Sequence, residues 1–89
     1  MSTLRASDLA RRVAMVADVL DEVGATATAL SVHCDGQVTV HVEDQLGEVA
    51  SRLGLQHTYE VRTMDGRVAP YHEGTWADIP VRVFGRAAR

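Results

Sequence analysis

The chain has no lysine and no asparagine among its 89 residues, only two prolines, and a single cysteine, Cys34. One cysteine cannot close a disulfide within the chain, so the cysteine pattern gives no sign of an oxidising compartment. All nine basic residues are arginine, a bias that a GC-rich genome explains because lysine and asparagine have AT-rich codons. The formal charge of −3 disfavours a protein that binds nucleic acid through its net charge.

Long apolar runs are also absent. Arg11, Arg12 and Asp18 interrupt the first apolar stretch, which therefore lacks the continuous core of a signal peptide, and no run approaches the ~20 residues of a membrane span. We expect a cytoplasmic protein without a membrane partner. The aromatic residues are few: Tyr59, Tyr71, Trp76 and Phe84. A core built mainly of Val, Ala and Leu is thin, which favours burial of further surface in a homodimer.

Two Asp-Gly pairs, Asp35-Gly36 and Asp65-Gly66, lie 30 residues apart. Each follows by 11 residues a glycine suited to ending a helix, Gly24 in the first half and Gly54 in the second. Asp-Gly between apolar-rich segments is a strong hairpin signal. The pattern therefore predicts two successive units, each made of a helix and a hairpin. The spacing fits an internal duplication and equally fits two independent units of the same plan.

With a last strand over residues 75–84, the sequence predicts one α+β domain spanning residues 1–89 with the order α-β-β-α-β-β-β. Two helices pack on one face of an antiparallel sheet of four to five strands. Residues 1–6 and 85–89 are expected to be flexible.

The hairpin registers follow from which apolar residues must share a face. In the first hairpin, a three-residue loop of Cys34, Asp35 and Gly36 pairs Val32 with Val38 and places Gly36 at the left-handed position of a bulge. In the second hairpin, a two-residue turn at Asp65-Gly66 places a different apolar set on one face: Tyr59, Val61, Val68 and Pro70. The two hairpins are therefore predicted to differ in strand phase.

Residues that carry chemistry do not form a recognisable catalytic or metal-binding motif. His33 and His41 share a polar face without being cross-strand neighbours, and His57 and His72 flank Tyr59 without completing a ligand set. Cys34 falls in a turn, and the adjacent His33 is expected to point to the opposite face, so we expect a passive turn cysteine rather than a nucleophile. The sequence therefore predicts no catalytic residues, no metal site and no cofactor.

The outer face of the C-terminal sheet is the best candidate surface, because there arginines alternate with rings. Its predicted partner-binding residues are Arg62, Arg67, Tyr71, Trp76, Arg82 and Phe84. Exposed aromatic and arginine side chains are typical of protein-interface hot spots and of platforms that stack single-stranded nucleic acid. Three occupants stay open: the chain's own tail or a second copy, a separate protein partner, and nucleic acid.

The stretch from Gly74 to Gly85, GTWADIPVRVFG, resembles the ending of many small orphan accessory proteins of actinobacterial phages and integrative elements. In those proteins a glycine-led edge strand closes a short α+β domain. The arginine-only composition agrees with the resemblance, which covers about a dozen residues and carries over no catalytic residues. It implies a class of accessory proteins, some of which block host defence systems by binding them.

These observations favour a non-enzymatic protein-binding accessory module that acts on a host protein. It would use the arginine and aromatic face or an acidic helix face containing Asp18, Asp21 and Glu22. One alternative is a nucleic-acid-binding regulator that uses the same sheet face. Another is a ligand sensor or enzyme subunit assembled at a dimer interface.

Overall fold

A computed structural model of the chain describes residues 4–87. Two helices and five strands follow one another in the predicted order, so the α+β class and the element order are confirmed. The elements are α1 Ala6–Val23, β1 Ala27–Val32, β2 Val38–Val42, α2 Leu46–Leu53, β3 His57–Arg62, β4 Val68–Trp76 and β5 Ile79–Phe84.

The five strands form one sheet in the order β1-β2-β5-β4-β3. Strand β5 turns back from β4 as an antiparallel neighbour and pairs on its other side with β2 in parallel. The connection from β2 to β5 contains α2 and two strands, which is long enough to return the chain in the same direction. The sheet is therefore mixed, and the prediction of a purely antiparallel sheet is wrong for this pair.

Both helices pack on one side of the sheet, where they bury alternate valines of β2 and β5. The buried cluster is Val16, Val19, Leu20, Val38, Val40, Val42, Val49, Ala50, Leu53, Leu55, Ile79, Val81 and Val83. Because neighbouring strand residues point to opposite faces, the residues between these valines project away from the helices. We call that other side the open sheet face.

The two helix–hairpin units repeat the same backbone hydrogen bonds at a constant offset of 30 residues. The Gly24 amide donates to Leu20 O and the Gly54 amide to Ala50 O, each at the left-handed end of its helix. The Glu22 and Arg52 side chains, which occupy equivalent positions in the two units, form an ion pair with each other. The 30-residue spacing of the sequence therefore corresponds to a repeated backbone.

The two hairpin loops are also equivalent. In the first loop the His33 amide donates to Gln37 O at 2.9 Å, and in the second the Thr63 amide donates to Arg67 O at 2.7 Å. Each pair encloses a three-residue loop that ends in a glycine with positive φ. The three-residue loop at Cys34 to Gly36 is confirmed. The two-residue turn at Asp65-Gly66 is wrong, because Met64 belongs to that loop and the strand phase does not change.

The predicted last strand over residues 75–84 is interrupted by a tight turn. Ala77 and Asp78 adopt positive φ values of 50° and 65°, as a two-residue hairpin turn requires at both central positions. Trp76 ends β4 and pairs with Ile79 at the start of β5.

Of the ends predicted to be flexible, residues 1–3 and 88–89 lie outside the described residues. Among the described ones, the Leu4 side chain lies within 3 Å of the place where a Cβ on Gly36 would project. The Gly85 amide donates to Pro70 O at 2.8 Å.

Candidate protein-binding face

One residue from each strand joins a continuous row across the open sheet face. The strand registers align Ala29, His41, Phe84, Tyr71 and Tyr59 in that order. Four of the five side chains carry rings, and we call these four the aromatic row. Their alignment follows from the two equal three-residue loops and from the parallel pairing of β2 with β5.

Each ring of the aromatic row is stacked on the next. The centroids of His41 and Phe84 are 4.9 Å apart, those of Phe84 and Tyr71 4.8 Å, and those of Tyr71 and Tyr59 5.2 Å, with interplanar angles of 11° to 28°. These are offset-stacked geometries that stabilise aromatic pairs. Because ring faces inside the row are turned toward each other, the row presents mainly ring edges to solvent.

A polar row runs beside the aromatic row, two residues away on each strand. The same registers align Ser31, Thr39, Arg82, Glu73 and His57. Arg82 Nη2 lies 3.3 Å from Glu73 Oε2, and the Arg82 guanidinium carbon lies 5.5 Å from the centroid of the Tyr71 ring. The positive charge is therefore neutralised by a neighbour on the same face, and its guanidinium supports the aromatic row.

The open sheet face has an exposed apolar end and carries almost no net charge. Tyr59 is 45% exposed and Val61 is 39% exposed, while Ala69 between the strands is buried. Among the described strand residues on this side, the acidic and basic side chains are the Arg82–Glu73 pair. Depletion of charge around exposed aromatic residues is the composition of a protein-interface core.

Strand β3 of the second hairpin has its polarity reversed relative to the strands that cover the core. In β3, Thr58, Glu60 and Arg62 lie on the helix side, whereas Tyr59 and Val61 lie on the open sheet face. All six β3 residues are exposed. The apolar side of β3 therefore points away from the helices and is left without a cover from the described chain.

The structure brings three of the six predicted binding residues together on the open sheet face: Tyr71, Arg82 and Phe84. The other three are elsewhere. Arg62 lies on the helix side of β3 and donates from Nη1 to Gly66 O at 3.2 Å. Trp76 packs against the buried cluster, because the turn at Ala77-Asp78 breaks the alternation that had placed Trp76 on the same face as Phe84.

Arg67 directly follows the second loop and forms an ion pair with Asp65 of that loop. Its Nε donates to Asp65 Oδ2 at 2.6 Å, and the Thr63 hydroxyl donates to the other carboxylate oxygen. The bond from Arg67, followed by that from Thr63, holds the pKa of the Asp65 carboxyl well below its ordinary value. The same ion pair raises the pKa of Arg67. Arg67 therefore stabilises the loop and lies off the aromatic row.

Sequence reasoning missed Tyr59, His41 and Val61 as residues of this face. The signal that could have placed Tyr59 and Val61 was the repeat itself. If the second loop has the same length as the first, Tyr59 falls opposite Tyr71 and Val61 opposite Ala69. The neighbour of His41 on β5 depends on the parallel pairing, which no local pattern indicates.

The remaining chemical candidates are dispersed. His57 and His72 lie on opposite faces of the sheet, and His72 Nδ1 is 3.1 Å from the Thr58 hydroxyl. Cys34 is exposed in the first loop. Within residues 4–87, no three His, Cys, Asp or Glu side chains come together in a way that could hold a metal ion. Neither helix in that range has the length and apolar character needed to cross a membrane.

Comparison with known proteins gives no relative for this chain: no protein family, no curated protein and no solved structure matches it.

Proposed function

We propose that this chain is a non-enzymatic binding module that docks a protein against its open sheet face. The observation that carries the proposal is the aromatic row, four stacked rings that no described part of the chain covers. Burial of apolar surface contributes roughly 25 cal/mol per Å². A flat face with Tyr59 and Val61 at its exposed end therefore offers a favourable contact area to a protein partner.

The geometry favours protein over single-stranded nucleic acid as the occupant. Bases bind such platforms by stacking on free ring faces, whereas the inner faces of the aromatic row are occupied by neighbouring rings. The arginine on this face, Arg82, is paired with Glu73. Ring edges combined with a neutral polar row suit the apolar centre and polar rim of a protein interface.

The resemblance of Gly74–Gly85 to accessory proteins of phages and integrative elements adds a class of partner to this proposal. It favours a cytoplasmic host protein, including one that belongs to a defence system, as the target of the module. That protein would meet the open sheet face or the acidic helix face of Asp18, Asp21 and Glu22. The genes beside this one test that class, because a defence or replication operon would name the process.

The binding proposal is tested by two substitutions on the same strand. Tyr59→Glu places a charge on the open sheet face, and Thr58→Glu places the same charge on the other side of β3, where Thr58 is also exposed. We expect Tyr59→Glu to abolish cross-linking of a tagged chain to protein, whether a second copy or another polypeptide, and Thr58→Glu to retain it. Trp76 lies among the helix-side residues, so its fluorescence checks that both variants are folded.

Equal cross-linking by wild type and Tyr59→Glu would contradict the proposal. The nucleic-acid alternative is tested in parallel with a labelled single-stranded oligonucleotide at two salt concentrations. We expect no binding at either concentration. Binding that weakens steeply as salt rises would show that phosphate contacts dominate and would favour the alternative.

A further inference from the structure

This inference rests on the proposed function and identifies the protein that occupies the open sheet face. We infer that the protein covering the open sheet face is a second copy of this chain, related by a two-fold axis that lies between the two sheets and runs parallel to β5. The dimer is then a sandwich of two sheets with a helical layer on each outer side. Sheets that pack face to face in this way are separated by about 10 Å.

The area of the face is sufficient for such a dimer. Five strands spaced about 4.8 Å apart, each about six residues long, give a footprint of about 500 Å² per copy. A pair of copies would bury about 1,000 Å², which reaches the lower limit of specific protein interfaces. We therefore expect reversible association at concentrations of about 10 µM to 1 mM rather than a permanent dimer.

The charge distribution permits self-association through this face and opposes it through the helical side. The two helices carry five acidic residues and three arginines, and none of the five lies on the open sheet face. Contact through the helices would bring like charges together. Contact through the sheets keeps the acidic sides apart by more than the screening length, about 8 Å at physiological salt.

The direction of the axis follows from side-chain size along the aligned row. Phe84 stands on the middle strand, with Ala29 and His41 on one side and Tyr71 and Tyr59 on the other. An axis parallel to β5 places Tyr59 of each copy opposite Ala29 of the other, and Tyr71 opposite His41. The outermost ring, Tyr59, then meets the smallest side chain of the row, and Phe84 of each copy meets Phe84 of the other at the axis. An axis perpendicular to the strands would instead place Tyr59 against Tyr59.

Light scattering over a concentration series tests the association. The chain mass is 9.7 kDa, and we expect the measured mass to rise from this value toward twice as much between about 10 µM and 1 mM. Tyr59→Glu should stay monomeric throughout, while Thr58→Glu should behave as wild type. A wild-type mass that stays at the monomer value, or a dimer that Tyr59→Glu leaves intact, would overturn the inference.

Thiol cross-linking with a bis-maleimide that spans about 10 Å, the separation of two packed sheets, tests the axis in a Cys34→Ser background. Tyr59→Cys mixed with Ala29→Cys should form a cross-linked mixed dimer, and Thr58→Cys should form none with either. Efficient self-linking of Tyr59→Cys without mixed product would overturn the stated axis. The wild type could instead be monomeric while Tyr59→Glu loses cross-links to a different polypeptide. That outcome would overturn the dimer and leave the proposed binding function standing.

Discussion

The first hairpin, β1–β2, and the second, β3–β4, have the same backbone conformation, but their outer strands β1 and β3 differ in which side is apolar. Leu30 and Val32 of β1 contact the helix-side cluster, whereas Glu60 and Arg62 occupy the equivalent positions of β3. The caps and loops set the backbone of both hairpins. The side chains decide which face is buried, so a repeated backbone can support two different surfaces.

The length of the preceding helix explains why the tip of the first hairpin is covered and the tip of the second is not. Helix α1 has 18 residues and α2 has eight. The additional N-terminal turns of α1 reach the tip of the first hairpin, where Arg12 Nη1 donates to Gly36 O at 3.1 Å. At Gly66, the equivalent glycine of the second hairpin, no heavy atom of residues 4–87 other than its chain neighbours lies within 4 Å of where a Cβ would project.

The largest expected effect separates two valines at equivalent positions. Val38 is fully buried, whereas Val68 is half-buried. We expect Val38→Ala to reduce the free energy of unfolding by about 2 kcal/mol, because it removes two methyl groups and leaves a cavity. Val68→Ala should cost less than about 1 kcal/mol, because solvent fills the space. Urea denaturation of both variants measures the difference.

Equal losses for the two valine variants would contradict the comparison, since they would mean that the second hairpin contributes to the core as much as the first. The measurement is made at a protein concentration low enough to keep the chain monomeric. Otherwise association through the open sheet face would add to the stability of every variant.

A smaller effect is expected at the two loop glycines, Gly36 and Gly66. Both have positive φ, 93° and 84°, so alanine at either position should cost about 1–2 kcal/mol of backbone strain. A Cβ at Gly36 would also lie 2.5 Å from Arg12 Nη1 and displace its hydrogen bond, a further loss of about 1 kcal/mol. Thermal or urea unfolding of Gly36→Ala and Gly66→Ala measures the gap, which is the difference between their losses of unfolding free energy.

The control is to make and measure Gly36→Ala and Gly66→Ala again in an Arg12→Ala background. We expect the gap between the two glycine variants to narrow there, because the displaced hydrogen bond no longer exists in either protein. A gap that keeps its full size would show that Arg12 does not support the first loop.

The element order was predictable from the sequence because glycine stops and Asp-Gly loops are local signals. The position of β5 was not, since its parallel pairing with β2 depends on contacts between residues about 40 positions apart, such as Val38 and Val81. The candidate site was predictable only in part. Tyr71, Arg82 and Phe84 were placed correctly on the open sheet face, whereas Trp76 was not, because Ala77 and Asp78 adopt a left-handed turn that glycine or asparagine would have signalled.

The smallest expected effect distinguishes the two loops by charge. Asp35 and Asp65 occupy equivalent positions and each accepts a bond from the amide two residues later. Residue 67 is arginine, however, and residue 37 is glutamine. Arg67→Gln gives the second loop the same residue that the first loop has at the equivalent position, Gln37. Carbon-detected NMR titration should then show the pKa of Asp65 rising from its lowered value toward the ordinary 3.8.

The sign of the pH dependence follows from this lowered pKa. A carboxyl group whose pKa is depressed by folding stabilises the folded state above its ordinary pKa, and that contribution is lost as the pH falls through the lowered value. We therefore expect protection of the Arg67 amide against hydrogen exchange to fall below about pH 4 in the wild type. In Arg67→Gln the pH dependence of this protection should be weaker and less sensitive to salt. The variant lacks the solvent-exposed ion pair, whose strength in the wild type depends on screening by salt. An Asp65 pKa unchanged by Arg67→Gln would show that the Thr63 hydroxyl alone distinguishes the second loop from the first.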